Sequence, residues 1–253
     1  MADAEQLTLA VPVKASWCET ASFGTADCSQ VCRCDDGSDY AIKDDLEVAA
    51  VPHSEWFCTH LGELVGLASP PCKIVDVQGK ACFGSRWETG HNARDWILRA
   101  QDGRIDFASL APTLLRIYAF DLFVNNVDRH TNNYIVREQH FGTALLAFDY
   151  SRAWIVNGMP PPNMPMSSSH NTVQFIKGLR TIFGDFFQQN EADHVLDKLE
   201  STPVQAVDKI ISSHPQEWLT KSQHNAILSW WKSDIRTSRI SDIRKGVKDG
   251  EYL

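Results

Sequence analysis

Hydrophobic and polar positions change their rhythm twice along the chain. Ser29–Cys34 and Ser38–Lys43 are β-prone runs flanking Asp-Asp-Gly, and Asp-Gly between extended runs is a strong hairpin signal. In the second run Tyr40 and Ile42 share one face, while Ala41 and Lys43 share the other. Trp56, Phe57, Leu61, Leu64 and Val65 then make a helical stripe, with Ser54 as its cap, Glu55 in its first turn, and Gly66 and Pro70-Pro71 ending it. Lys73–Ser85 reads as two more strands around Gln78-Gly79. From Asn92 the character is different. Leu110–Val124 is long, apolar and helix-like. A polar stretch follows, then a strand pair, Tyr134–Val136 and Ala144–Tyr150, turning around His140–Gly142. Residues 157–171 are rich in Pro and Ser and predict a loop. The rest predicts helices, one on Glu191–Glu200 and another on Gln223–Ile235. The expected class is α+β. A small β-rich lobe with one key helix (residues 1–88) joins a larger, mostly helical lobe (89–253) near residues 84–92.

Composition narrows the function classes. The chain has 253 residues, 43% hydrophobic and 22% charged, which is ordinary for a globular protein. Its net charge of -8 argues against duplex nucleic acid as a direct partner and against an anionic membrane surface. The most apolar stretch, Leu114–Val124, is interrupted by Arg116 and Asp121 and falls short of a bilayer span. The first 14 residues carry two acids before a lysine and no apolar core of a signal peptide, so the expected location is the cytoplasm. Seven cysteines, all among the first 82 residues, then predict reduced thiols. Cys28, Cys32 and Cys34 do not have a standard zinc spacing.

The chemistry lies in polar residues set where burial would be costly. Asn125, Asn126, Asp128, Arg129, His130, Asn132 and Asn133 directly follow an apolar helix, and Asp149 ends the apolar run Ala144–Phe148. Phosphoryl transfer needs positioning and charge neutralisation more than covalent help. It uses a strand Lys for phosphates, an acid to orient that Lys, a carboxylate for the incoming hydroxyl, and hard oxygens for Mg2+. Lys43, Glu55, Asp128, Asn133 and Asp149 supply that set in that order. Asp128 and Asn133 are five apart, as in the catalytic loop of protein kinases, and Tyr40–Lys43 echoes their Lys-bearing strand. Glu47 and Glu63 compete with Glu55 as partners of Lys43, and His130 is expected to hold the loop through backbone bonds. No G-x-x-x-x-G-K-[ST] motif is present, which excludes a P-loop NTPase.

The order Asp128-Arg129-His130 followed by Asn133 is inverted relative to ordinary kinases. It resembles the catalytic loop of HipA-like kinases and of the related phosphatidylinositol kinases. Residues 23–43 resemble the HipA-like phosphate-loop hairpin, 54–71 its Glu-bearing helix, and Phe120–Val136 and Leu145–Trp154 its catalytic and metal segments. His214–Leu219 and a terminal helix with Arg236 and Arg239 resemble its C-terminal bundle. The resemblance implies a bilobal, protein-kinase-like fold and a Ser/Thr protein kinase using ATP and Mg2+. Asp128 would be the base, Asn133 and Asp149 the metal ligands, and Lys43, paired with Glu55, the phosphate ligand. Gly24 and Thr25 would also meet the nucleotide, and the backbone of Phe83, Gly84 and Ser85 would meet adenine. Only Gly24 stands where kinases have several glycines. Ser22, Thr25 and Ser29 are candidate autophosphorylation sites. A protein carrying Ser or Thr is the implied substrate. A toxin role would bring an antitoxin or regulatory protein as partner. A lipid kinase and a kinase-like binding module are the alternatives.

Overall fold

The computed structural model describes residues 11–20, 30–45, 50–87, 93–139, 142–158 and 167–252. Gly24, Thr25, Ser22, Ser29, Cys28, Glu47, most of the stretch joining the expected lobes and most of the Pro-rich loop lie outside them.

Five strands close into a barrel in the order β1-β2-β3-β5-β4. They are β1 (Val13–Thr20), β2 (Gln30–Cys34), β3 (Asp39–Lys43), β4 (Cys72–Val77) and β5 (Lys80–Arg86). The Asp-Asp-Gly hairpin forms as expected, with Gly37 at φ 77 and Asp36 accepting from Ser38 N at 2.9 Å. Gln78 and Gly79 both take positive φ, which suits a two-residue hairpin turn. A parallel contact between β1 and β4, Val13 opposite Val75, closes the barrel. Its interior is a small separate core of Cys32, Cys34, Tyr40, Ile42, Val75 and Cys82.

Cys18 and Cys32 are directly opposed on β1 and β2 and form a disulfide, Cα–Cα 4.0 Å. This corrects the expectation of reduced thiols for that pair. A cysteine count cannot say which strands lie side by side, and cross-strand register is what brings these two sulfurs together. Cys34, Cys58, Cys72 and Cys82 are free.

Helix α1 (Val51–Leu64) starts earlier than its sequence suggests, from Ala50 in a left-handed conformation with Pro52 in the first turn. Ser54 therefore lies within the helix and is not its cap. Its hydroxyl donates to the carbonyls of Tyr150 and Ala153, at 2.7 and 3.0 Å. Glu55 falls in the second turn. Helices α2 (Ala93–Gln101) and α3 (Phe107–Val124) precede a two-stranded sheet of β6 (Tyr134–Gln139) and β7 (Gly142–Ala147). Five helices follow: α4 (Asn171–Phe183), α5 (Gln189–Ser201), α6 (Val204–Ser212), α7 (Lys221–Trp231) and α8 (Asp234–Lys248). The single helix expected across Gln223–Ile235 breaks at Lys232, and Ser233 stands before α8. Helix α3 is 18 residues long and apolar enough to span a bilayer by length and composition, more than the interrupted stretch suggested, yet it is a core helix buried over 67% of its length.

One large core joins α1 and Phe83 of the barrel to the helical part. The segment 213–218 ties to both α1 and β5. Trp56 Nε1 donates to Ser213 Oγ, and Trp218 Nε1 donates to the carbonyl of Ala81, both at 3.0 Å. His53, on α1, meets His214 at 2.7 Å, and His214 Nδ1 lies 2.8 Å from the carbonyl of Pro215. Only donation by His214 Nδ1 satisfies that carbonyl, so in the neutral pair His214 Nε2 accepts from His53 Nδ1. Burial pushes both imidazoles below their usual range, and the nearby His224 adds to the effect. The unfolded chain therefore binds protons that the folded one refuses, and stability falls as pH drops. We expect the urea midpoint to decline below about pH 6.5, the value of an unperturbed histidine, and the decline to shrink in His53→Gln. A flat midpoint between pH 7.5 and 5.5 would contradict the neutral pair.

Candidate active site

Lys43 ends β3, Glu55 points from α1, and Asp149 lies two residues beyond β7. Lys43 Nζ is 2.6 Å from Glu55 Oε1 and 2.6 Å from Asp149 Oδ1. Glu55 Oε1 also accepts from Tyr150 N at 2.9 Å. Geometry thus selects Glu55 over Glu63, which is exposed on the same helix. Asp149 takes φ 70, a left-handed conformation that Asp tolerates better than most residues. Its Oδ1 also accepts from Ser151 Oγ at 2.6 Å.

Burial alone would lower the Lys43 ammonium, but Asp149 and Glu55 outweigh it and the net shift is upward. Burial opposes ionisation of Asp149, yet Lys43 and the Ser151 hydroxyl hold its carboxyl well below the usual range. Burial, with the neighbouring Asp149 charge, pushes Glu55 up despite its lysine. Two carboxylates thus face one ammonium, which leaves a net negative charge that favours a nearby cation.

The Asn125–Asn133 loop follows α3, which ends with Asn125 in a left-handed conformation. Arg129 is buried and makes a bidentate pair with Asp121 of α3, two bonds of 2.8 Å. Its Nη1 donates to the carbonyl of Asn133 at 3.2 Å and to that of Phe148. The guanidinium also stacks over Tyr150, 4.8 Å from the ring centroid. Asn126 Nδ2 adds a bond to Asp121 at 2.9 Å. Behind the loop, Arg239 of α8 donates to the carbonyls of Leu122 and Phe123, the last turn of α3. His130 Nδ1 accepts from Asn132 N at 3.2 Å, the backbone bond foreseen for it.

Asn133 is buried, and its carbonyl accepts from Phe148 N at 3.1 Å. The β6–β7 hairpin thereby returns Asp149 to the side of Asn133. Asn133 Oδ1 accepts from His130 N at 3.3 Å. An amide oxygen and a carboxylate are the hard donors that Mg2+ takes, the rest of its shell coming from phosphate and water. Asp128 is partly exposed and accepts from Asn171 Nδ2 at 2.5 Å.

Phe83, Gly84 and Ser85 are the residues expected to meet adenine. They sit mid-strand in β5, laddered to β3 on one side and β4 on the other. A purine would find backbone groups there already paired. Gly84 has a packing reason of its own, since a Cβ would come within 2.4 Å of Val75.

The sequence profile of HipA-like kinases matches residues 24–243 of the chain. The chain belongs to the HipA-like kinase family. This HipA-like kinase has a mixed α+β fold shared with a crystal structure of the Helicobacter pylori proinflammatory kinase CtkA. That likeness has a TM-score of 0.58 at 12% identity and covers 95% of this chain and all of the other. HipA of Shewanella oneidensis MR-1, solved with HipB and operator DNA, matches with a TM-score of 0.45 at 14% identity, over 82% of this chain and 60% of its own. No curated protein matches by sequence. At 12% identity the CtkA likeness speaks for the fold alone. A kinase of this family implies ATP and a divalent metal in general terms.

The sequence missed three contributors. Asp121 looked like an interruption of an apolar helix, and its hint was a carboxylate eight residues before an equally misplaced Arg. Asn171 and Thr172 lay at the edge of an expected loop and gave no local signal.

Proposed function

We propose that the chain is an ATP- and Mg2+-dependent serine/threonine protein kinase. The observation that carries this reading is the buried bridge of Lys43 to both Glu55 and Asp149, contributed by three separate elements. Joining one ammonium to two carboxylates away from water costs stability, and a functional role is the reading that accounts for keeping them there.

Lys43 neutralises phosphate charge, and Glu55 holds Lys43 against α1. Asp128 accepts the proton of the attacking hydroxyl. Asn133 and Asp149 would hold the metal, which supplies charge neutralisation at the transferring phosphoryl group. Residues 1–88 and 89–253 are proposed as the two lobes. Gly24 and Thr25 keep their proposed place at the nucleotide. Autophosphorylation, a toxin role and an antitoxin or regulatory partner rest on the family resemblance and belong to this proposal, as does the cytoplasmic setting expected from the N-terminal sequence.

Purified wild type and Asp128→Ala, incubated with labelled ATP, Mg2+ and lysate proteins, test the reading. We expect label on Ser or Thr of the chain itself or of a lysate protein. Asp128→Ala should lower transfer by about 10²–10⁴ while melting at the wild-type temperature. Equal rates for the two proteins would refute the assignment of the base. Label on phosphatidylinositol vesicles in place of protein would turn the reading into a lipid kinase.

A further inference from the structure

Asp128 stands in a loop held at both ends by buried contacts, but its own carboxylate is met from outside the loop. Asn171 is the first residue of α4, 43 positions downstream, and its Nδ2 donates to Asp128 Oδ1 at 2.5 Å. The next residue, Thr172, is fully buried. Its Oγ1 accepts from Arg129 N at 3.0 Å and donates to the carbonyl of Asn126. Two consecutive residues of one helix thus grip the loop at positions 126, 128 and 129. The Asn171 side chain is not spent on its own helix: the N-cap is His170, whose side chain makes no capping bond.

We infer that Asn171 is a positioning residue for Asp128, its amide N–H fixing Oδ1 so that Oδ2 is left to accept the proton of the substrate hydroxyl. This rests on the phosphotransfer reading above. A carboxylate on a loop can rotate about its side-chain torsions, and a misdirected base loses rate without loss of nucleotide binding. A neutral donor suits this place. It orients the carboxylate without neutralising it, where a lysine or arginine would compete with the proton.

The rival role is service to α4 alone, and one substitution separates the two. Asn171→Asp is close in shape and, at a helix first turn, suits the helix dipole. If Asn171 serves only the helix, the Asp variant should melt no lower and transfer phosphate as fast as wild type. If it positions Asp128, the donor is replaced by a like charge and kcat should fall by about a hundredfold. Asn171→Ala should lower kcat by about tenfold. In both variants KM for Mg-ATP and the melting temperature should stay at wild-type values. Gln174→Ala, a change on the same helix that removes a bond to the carbonyl of Ser168, is the control and should leave kcat alone. Wild-type kcat in Asn171→Asp would overturn the inference, as would a parallel loss of kcat and melting temperature in both variants. Wild type that transfers nothing, like Asp128→Ala, would instead overturn the phosphotransfer reading and this inference with it.

Discussion

Asp149→Asn is expected to lower phosphate transfer by at least about 10³, some 4 kcal/mol of transition-state stabilisation, while the protein remains folded. Loss of rate and retention of fold have the same origin. Lys43 is bridged to Glu55 and Asp149, so one ammonium faces two carboxylates, one buried and one partly buried. Removing the Asp149 charge leaves a matched Lys43–Glu55 pair, still braced by Tyr150 N on Glu55. The melting temperature should therefore hold or rise slightly. Activity should not survive, because an amide at 149 gives the metal a neutral oxygen where the wild type offers a carboxylate. The sign of the Asp149 shift adds a check. Its carboxyl is held well below the usual range, so it stays ionised throughout the neutral and mildly acid region. Lys43, shifted upward, stays charged there too. ATP titrations with and without Mg2+ would show the Mg2+-dependent part of binding vanish in Asp149→Asn. A variant whose binding still strengthens with Mg2+ as in wild type would remove Asp149 from the metal site.

What could be read from the sequence was mostly what is settled locally. Asp35–Ser38 and Gln78-Gly79 fix their hairpins through turn chemistry, and the β6–β7 hairpin predicted the return of Asp149 to Asn133. Spacing named Asp128, Asn133 and Asp149 because their loop is short and their order is dictated by the chemistry. Glu55 could not be separated from Glu47 and Glu63 in this way, since only the docking of α1 on the barrel and on Tyr150 decides which carboxylate reaches Lys43. The same holds for β1, whose mixed exposure marks it weakly and whose place comes from its distant partner β4. The Cys18–Cys32 bridge is another product of register. Ser54 illustrates a competing use of one residue: a good cap by composition, it is instead consumed by two carbonyls of the 150–153 turn. Phe83–Ser85 lie in a central strand, laddered on both sides, a fact of sheet order invisible to a strand prediction.

Asp121→Leu should be the most destabilising change in the chain's catalytic half, costing about 3–5 kcal/mol, or on the order of 10 °C in melting temperature. Arg129 and Asp121 are nearly inaccessible, at 1% and 0% side-chain exposure, and the single change leaves a guanidinium buried with no carboxylate. Burial would lower the Arg129 charge's affinity for its proton, but Asp121 and its bonds override this, and the net shift is upward. Removing both charges together is a different matter. Asp121→Leu/Arg129→Met leaves no orphaned ion, so stability should return to within about 2 kcal/mol of wild type. Activity should not return with it. Arg129 is also the donor to the carbonyls of Asn133 and Phe148, the residues flanking the catalytic loop's end and Asp149. A methionine fills volume there but ties neither segment. The stable double variant should therefore bind Mg-ATP weakly and transfer slowly, separating the pair's part in folding from its part in holding the site. Urea unfolding of the two singles and the double gives the coupling energy, and transfer assays on the double give the rest. A cost below about 1 kcal/mol for the single change would mean that water reaches Arg129 after all. A double variant with wild-type activity would show that the Asn133–Asp149 geometry is kept by the hairpin bonds alone.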